Sequence, residues 1–148
     1  MNKKFILSMI LVIALGIVSA KSVYSLSESI NDKNSYYFLQ LGVYDDLNSL
    51  EEDTKNIDDK LVLKEYKNYY VYVGISKNKN NLKKISSLYS NLGYNLLIKS
   101  KAVINEEFKV NLEQFDKLLK STDDLEELKK IMSVILSSYQ EMVINSSF

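Results

Sequence analysis

The chain nearly repeats itself. "YYFLQLGVYDD" at 36–46 and "YYVYVGISKN" at 69–78 each give a doubled tyrosine, alternating apolar residues, a glycine and a turn into polar residues. Aligning Gly42 with Gly74, a shift of 32 residues, sets Leu39 over Val71, Leu41 over Val73, Val43 over Ile75 and Leu50 over Leu82. A helical spacing follows each copy: Leu47, Leu50, Thr54 and Ile57 after the first, Leu82, Ile85, Leu88 or Tyr89 and Leu92 after the second. Asp46 or Ser49 can cap the first helix, Ser49 standing at capping-box spacing from Glu52, and Asn80 can cap the second, which Gly93 stops. Each copy closes with another apolar run, "KLVLKEY" at 60–66 and "YNLLIKSKAV" at 94–103. The unit is strand, helix, strand, and it occurs twice.

Two such units predict an α+β fold of the βαββαβ type: a four-stranded antiparallel sheet with both helices on one face, since right-handed crossovers place them on the same side. Side chains at i and i+2 share a face. With Leu39, Leu41, Val43, Tyr69, Val71 and Val73 under the helices, the residues Phe38, Gln40, Tyr44, Tyr70, Tyr72 and Ser76 fall on the bare face. Lys64 and Tyr66 of the second strand and Lys99 of the fourth join them there. A slip of one residue would bury Gln40 and Tyr72 and expose the aliphatic set, so this register is preferred. Tyrosine suits a half-buried strand on propensity alone. A cluster of phenols beside an amide and lysines on an uncovered sheet has the make-up of a contact surface, on which flat rings lie against a flat ligand.

Composition narrows the chemistry. Every basic residue is lysine, and there is no arginine, histidine, cysteine, proline or tryptophan. Thiol nucleophiles, imidazole bases and the usual zinc or haem ligand sets are therefore out of reach, and no cofactor or metal is expected. The acids come as neighbours, such as Asp45 and Asp46, Glu51 and Glu52, or Asp58 and Asp59. On a helix such neighbours point about 100° apart, unlike the facing carboxylates of a glycosidase. A non-enzymatic binding protein is expected. An RNA-binding module of the same βαββαβ plan stacks bases on sheet aromatics, but an export signal and the lack of arginine argue against nucleic acid.

That signal is "MNKKFILSMILVIALGIVSA", in which Lys3 and Lys4 precede an apolar run closed by Ser19 and Ala20. Residues 1–20 read either as a cleaved signal peptide or as an N-terminal membrane anchor. Sixteen residues, from Phe5 to Ala20, would make a helix of roughly 24 Å against a hydrocarbon core of about 30 Å. In both readings the rest of the chain lies outside the cytoplasm, and membrane contact is confined to the N-terminal segment. Residues 21–35 are a polar linker, 36–103 the duplicated domain and 104–145 a helical hairpin. In the hairpin, Phe108, Leu112, Phe115 and Leu119 recur at helical steps behind Asn105. Leu125, Leu128, Met132, Ile135, Tyr139 and Met142 follow behind an Asp123/Glu126 capping box. Ile131, Val134 and Leu136 widen that second stripe, so something must cover it.

The order of "LQLGVY" at 39–44, a helix, "YVYVGIS" at 70–76 and a second helix resembles the SPOR domain, the peptidoglycan-binding module of bacterial division and sporulation proteins, over about 36–102. Gln40 matches the glutamine of that family's first strand, Gly42 its glycine, Tyr44 the aromatic that follows and Gly74 the second glycine. Tyr72 stands where many members carry a polar residue or arginine, and Ser76 where they often carry an aromatic. The resemblance implies binding of peptide-stripped glycan strands on the bare face, here by Gln40, Tyr44, Tyr70 and Tyr72 with Tyr66 and Lys99 beside them. The alternative is a protein-interaction module of a cell-envelope or sporulation assembly, with another exported protein docking on the C-terminal helices. Charge adds an asymmetry: residues 45–59 hold seven acids and one lysine, residues 66–105 seven lysines and no acid. It fits solvated helix faces, attraction of glycan carboxylates by Lys99 and its neighbours, or head-to-tail self-association.

Overall fold

The elements form in the expected order of strand, helix, strand, strand, helix and strand, in a computed structural model that describes residues 35–145. Residues 1–20, and the linker except Ser35, lie outside the described residues. The order is β1 (Ser35–Tyr44), α1 (Leu47–Thr54), β2 (Leu61–Glu65), β3 (Asn68–Ser76), α2 (Lys79–Ser90) and β4 (Leu97–Ala102), then α3 (Glu106–Ser121) and α4 (Leu125–Asn145). The four strands form one antiparallel sheet in the order β2-β3-β1-β4, so the first strands of the two copies are its central pair.

Several element ends differ from the expected ones by a residue or two. Asp46 caps α1, its carboxylate accepting from the Ser49 N–H at 2.9 Å, and Ile57 lies beyond the helix yet is buried. The cap of α2 is Asn78 rather than Asn80: its side chain accepts from the Asn80 N–H. At α4 the cap is Asp124 rather than Asp123, accepting from the N–H groups of Glu126 and Glu127 at 3.0 and 3.1 Å. Asn105 caps α3 as expected, and Gly93 takes a φ of 89° after α2, in the left-handed region where glycine carries no Cβ penalty.

Two irregularities interrupt the central pair. Leu39 pairs with Gly74 but Gln40 with Tyr72, leaving Val73 extra on β3; Gly42 then pairs with Val71, leaving Leu41 extra on β1. Each extra residue reverses the alternation of its own strand. Simple alternation from Leu39 therefore misplaces the end of β1. Tyr44 belongs to the helix-covered side, in the field of Asp53 of α1 and of Tyr94, whose hydroxyl donates to the Asp53 carbonyl at 3.2 Å. Val43 is 43% exposed instead of buried. On β3 the same reversal puts Gly74 under α2, where an added Cβ would stand 3.1 Å from Leu82. Ser76 goes with it, paired to Tyr37 and buried, while Ile75 pairs with Phe38. Lys64, expected on the bare face, pairs with Tyr69, and its ammonium lies 5.3 Å from that ring.

The larger departure is the hairpin. β2 begins opposite Tyr72, so among the described residues the outer edge of β3 at residues 73–76 has no strand beside it. Helix α4 fills that place: the Ile75 N–H donates to the Met132 sulfur at 3.4 Å, and α4 packs on both β3 and β2. The apolar residues of α3 and α4 join those of the sheet in one core, from Tyr36 and Phe38 to Phe108, Leu112, Ile131 and Tyr139. The width of the α4 stripe is explained by this double contact, with Ile131 and Leu136 as buried as Met132 and Ile135, while Leu125 stays exposed.

Candidate functional site: one sheet face in two halves

Phe38, Tyr70 and Tyr72 occupy the side of the sheet away from α1 and α2, as alternation predicts, yet that side is not bare. The Tyr139 ring of α4 meets Phe38 edge-on at 5.2 Å, Phe38 meets Tyr72 edge-on at 5.4 Å, and Phe108 of α3 meets Tyr139 at 5.2 Å. Pairs of this geometry contribute about 0.5–1.5 kcal/mol each beyond the area they bury. Phe38 and Tyr72 are buried as a result, and so is Gln40. The amide and one of the tyrosines expected to touch a ligand therefore lie within the fold.

The other half stays open. Lys101 of β4 sits on the same face, its ammonium 5.1 Å from the Tyr72 ring and 5.8 Å from the Tyr70 ring, donating to the Tyr72 hydroxyl at 3.1 Å and paired with Glu65 of β2. Burial alone would lower the pKa of this ammonium, but the Glu65 carboxylate and the Tyr72 hydroxyl outweigh it and the net shift is upward. It is a fixed positive charge at neutral pH. By register, half-buried Tyr70 and exposed Lys99, Leu97 and Val43 share this face. Tyr66 stands apart at the tip of the β2–β3 hairpin, fully exposed, with a φ of 56°. A bulky residue in that region costs about 1–2 kcal/mol relative to a right-handed conformation. Of the six expected site residues, the structure thus leaves Tyr70, Lys99 and Tyr66 accessible, encloses Gln40 and Tyr72, and turns Tyr44 to the other face.

At the opposite end of the sheet the hairpin is tied down by Asp116 of α3. Its carboxylate accepts from the Ser76 hydroxyl, from the Lys77 N–H at 2.9 Å and from the Asn81 side chain at 3.0 Å. Desolvation raises the pKa of this carboxyl above the usual range, against the lowering effect of those three donors. Lys84 of α2 adds bonds to the carbonyls of Leu119, Lys120 and Thr122, at 3.1–3.3 Å, where the two hairpin helices join. Between Tyr37, the corner after β3 and α3 lies an open cleft of about 540 Å³. Nothing in the alternation of single strands pointed to it, because its walls come from three separate elements. Lys101 and Glu65 were also missed, although Lys101 shares the alternation of Lys99.

No family model matches the chain, and no curated protein matches it. Among solved structures, the solution structure of the peptidoglycan binding domain of the B. subtilis cell wall lytic enzyme CwlC is similar at a TM-score of 0.39 and 18% sequence identity, covering 54% of this chain and 100% of that one. Among the described residues there is no group of three His, Cys, Asp or Glu placed to hold a metal ion, and no helix long and apolar enough to cross a membrane.

Proposed function

We propose that this chain is a non-enzymatic, extracytoplasmic protein of the bacterial cell envelope that binds peptide-stripped glycan strands of peptidoglycan during sporulation or division. The strand lies along the open half of the sheet face, over Tyr70 and beside Lys99. The observation that carries the reading is the fixed ammonium of Lys101 between the Tyr70 and Tyr72 rings, with exposed Lys99 on the same strand. Rings give a platform for sugar faces, and exposed Lys99 attracts carboxylates freed when stem peptides are removed, Lys101 being already paired with Glu65. The SPOR-like order of strands and glycines supports the same ligand class. Co-sedimentation of residues 21–148 with amidase-treated cell-wall sacculi tests it. Enrichment over untreated sacculi, reduced by Tyr70→Ala with Lys99→Ala, is the expected result; equal pelleting with both kinds of sacculi would contradict it.

A second reading is favoured by the covered half. With Phe38 covered by Tyr139 and Tyr72 buried against Phe38, a glycan has only part of the face to use, and the module serves instead to bind another exported protein through the outer side of the hairpin. Localisation lost on substituting exposed Val110 and Ile144 by lysine, with sacculus binding unchanged, would favour this reading.

A further inference from the structure

We infer that the cleft between Tyr37, the corner after β3 and α3 is a second binding site, built for a small ring compound that carries a carboxylate. It is a shallow, widely open depression of about 540 Å³. Tyr37 of β1 supplies a half-buried aromatic wall, and the Lys79 ammonium stands 4.7 Å from the centre of its ring. Lys77 and Lys79 line one side, Glu113, Asp116 and Lys117 the other.

The charges in the cleft are not all available. Lys77 is paired with Glu113 at 3.0 Å, and the Asp116 carboxylate is taken up by Ser76, the Lys77 N–H and Asn81. What remains is Lys79 and Lys117, both exposed and neither in an ion pair among the described residues. Two ammonium groups outside any ion pair among the described residues, Lys79 over the Tyr37 ring and Lys117 3.5 Å from the Gln114 side-chain oxygen, select an anion attached to a ring. As point charges on flexible stems they attract a carboxylate without imposing the fixed bidentate geometry of a guanidinium. The wall is also fixed in advance, because Asp116 holds α3 to the β3–α2 corner through three donors. The hairpin that closes half of the sheet face thus builds this site.

The identity of the compound rests on the glycan reading: the ring-borne carboxylate a peptide-stripped wall offers is the lactyl group of its acidic sugar. N-acetylmuramic acid and N-acetylglucosamine, which differ by that group, are the probes. Titrated into the full isotope-labelled chain in detergent, N-acetylmuramic acid should shift the amide signals of Tyr37, Lys79 and Lys117, with N-acetylglucosamine at least ~10-fold weaker, as loss of one charge-assisted bond implies. Lys79→Gln with Lys117→Gln should weaken N-acetylmuramic acid by a similar factor while leaving the signals of buried residues in place. Equal shifts with both sugars, shifts confined to Tyr70 and Lys99, or no shift at the cleft would each overturn this site. Binding of amidase-treated sacculi by the double variant separates the two ideas, since it persists if the sheet face alone holds the wall. Cleft shifts without any sacculus binding would instead overturn the glycan reading and leave the cleft standing.

Discussion

The two halves of one sheet face have opposite fates. At Phe38 and Tyr72 the face is sealed by Tyr139 and Phe108; at Tyr70, Lys99 and Lys101 it remains partly open. The division follows from the length of a neighbouring strand. β2 begins only at Leu61 and pairs with five residues of β3, so the rest of β3 is left for α4 to dock on. Residues of like chemistry on one face thus become core or surface according to what lies beside them. Burial in a sheet is a property of its surroundings as much as of its alternation.

Breaking this arrangement outright should have the largest effect. Removal of residues 104–148 is expected to leave no cooperatively folded domain, because it strips Ile131, Ile135, Tyr139 and Phe108 from the shared core. A truncated chain with a sharp thermal transition and wild-type strand content would show instead that the βαββαβ unit stands alone. Tyr139→Ala should cost about 3–5 kcal/mol in urea unfolding, the usual range for a large aromatic removed from a core, whereas Tyr70→Ala on the open half should cost well under half of that. Similar losses at both positions would erase the distinction.

Asp116→Asn sharpens the comparison from the hairpin's anchored end. The amide offers one acceptor oxygen to donors that now reach two, Ser76 and Asn81 on one and the Lys77 N–H on the other, and a loss of about 1–3 kcal/mol at pH 7 is expected. The pH dependence has a definite sign. The folded pKa of Asp116 lies above its unfolded value, so between the two the folded state binds more protons, and this group's contribution to stability grows as pH falls toward the ordinary carboxylate value and is lost as pH rises through the raised one. The gap between wild type and Asp116→Asn should therefore widen from pH 7 to pH 4; a constant gap would mean that the three donors cancel the desolvation and leave this carboxyl unshifted. The smallest effect is at the hairpin tip: Tyr66→Gly should stabilise the fold by up to about 1 kcal/mol by relieving the left-handed tyrosine. If the tip contacts the wall it should at the same time weaken sacculus binding.

Much of the fold was legible because the pattern of strand, helix and strand can be read twice along the chain. Two copies of strand, helix and strand, with Gly93 after the second helix, leave few alternatives, and the element order followed. The faces were legible only as far as the first irregularity. Alternation placed Phe38, Tyr70 and Tyr72 together, but the extra residues Leu41 and Val73 could not be read from runs that are apolar or aromatic on both faces apart from Gln40, the glycines and Ser76, and they carried Tyr44 and Ser76 to the other side. The hairpin's need for cover was visible in the width of its stripe at Ile131, Val134 and Leu136. What it covers was not, since that depends on where β2 begins. The cleft at Tyr37 depends on β1, the β3–α2 corner and α3 meeting in space, and charge patterning along the chain carries no trace of that.

The most direct test of the divided face is a proton–proton cross-relaxation measurement between aromatic rings in solution, with a paramagnetic co-solute added as a probe of exposure. Cross-peaks linking Phe38 to Tyr139 and Tyr139 to Phe108, with Phe38 and Tyr72 protected from the co-solute and Tyr70 broadened by it, are predicted. Absence of the Phe38–Tyr139 cross-peak, with Tyr72 broadened as strongly as Tyr70, would contradict the account and restore the whole face as an open surface.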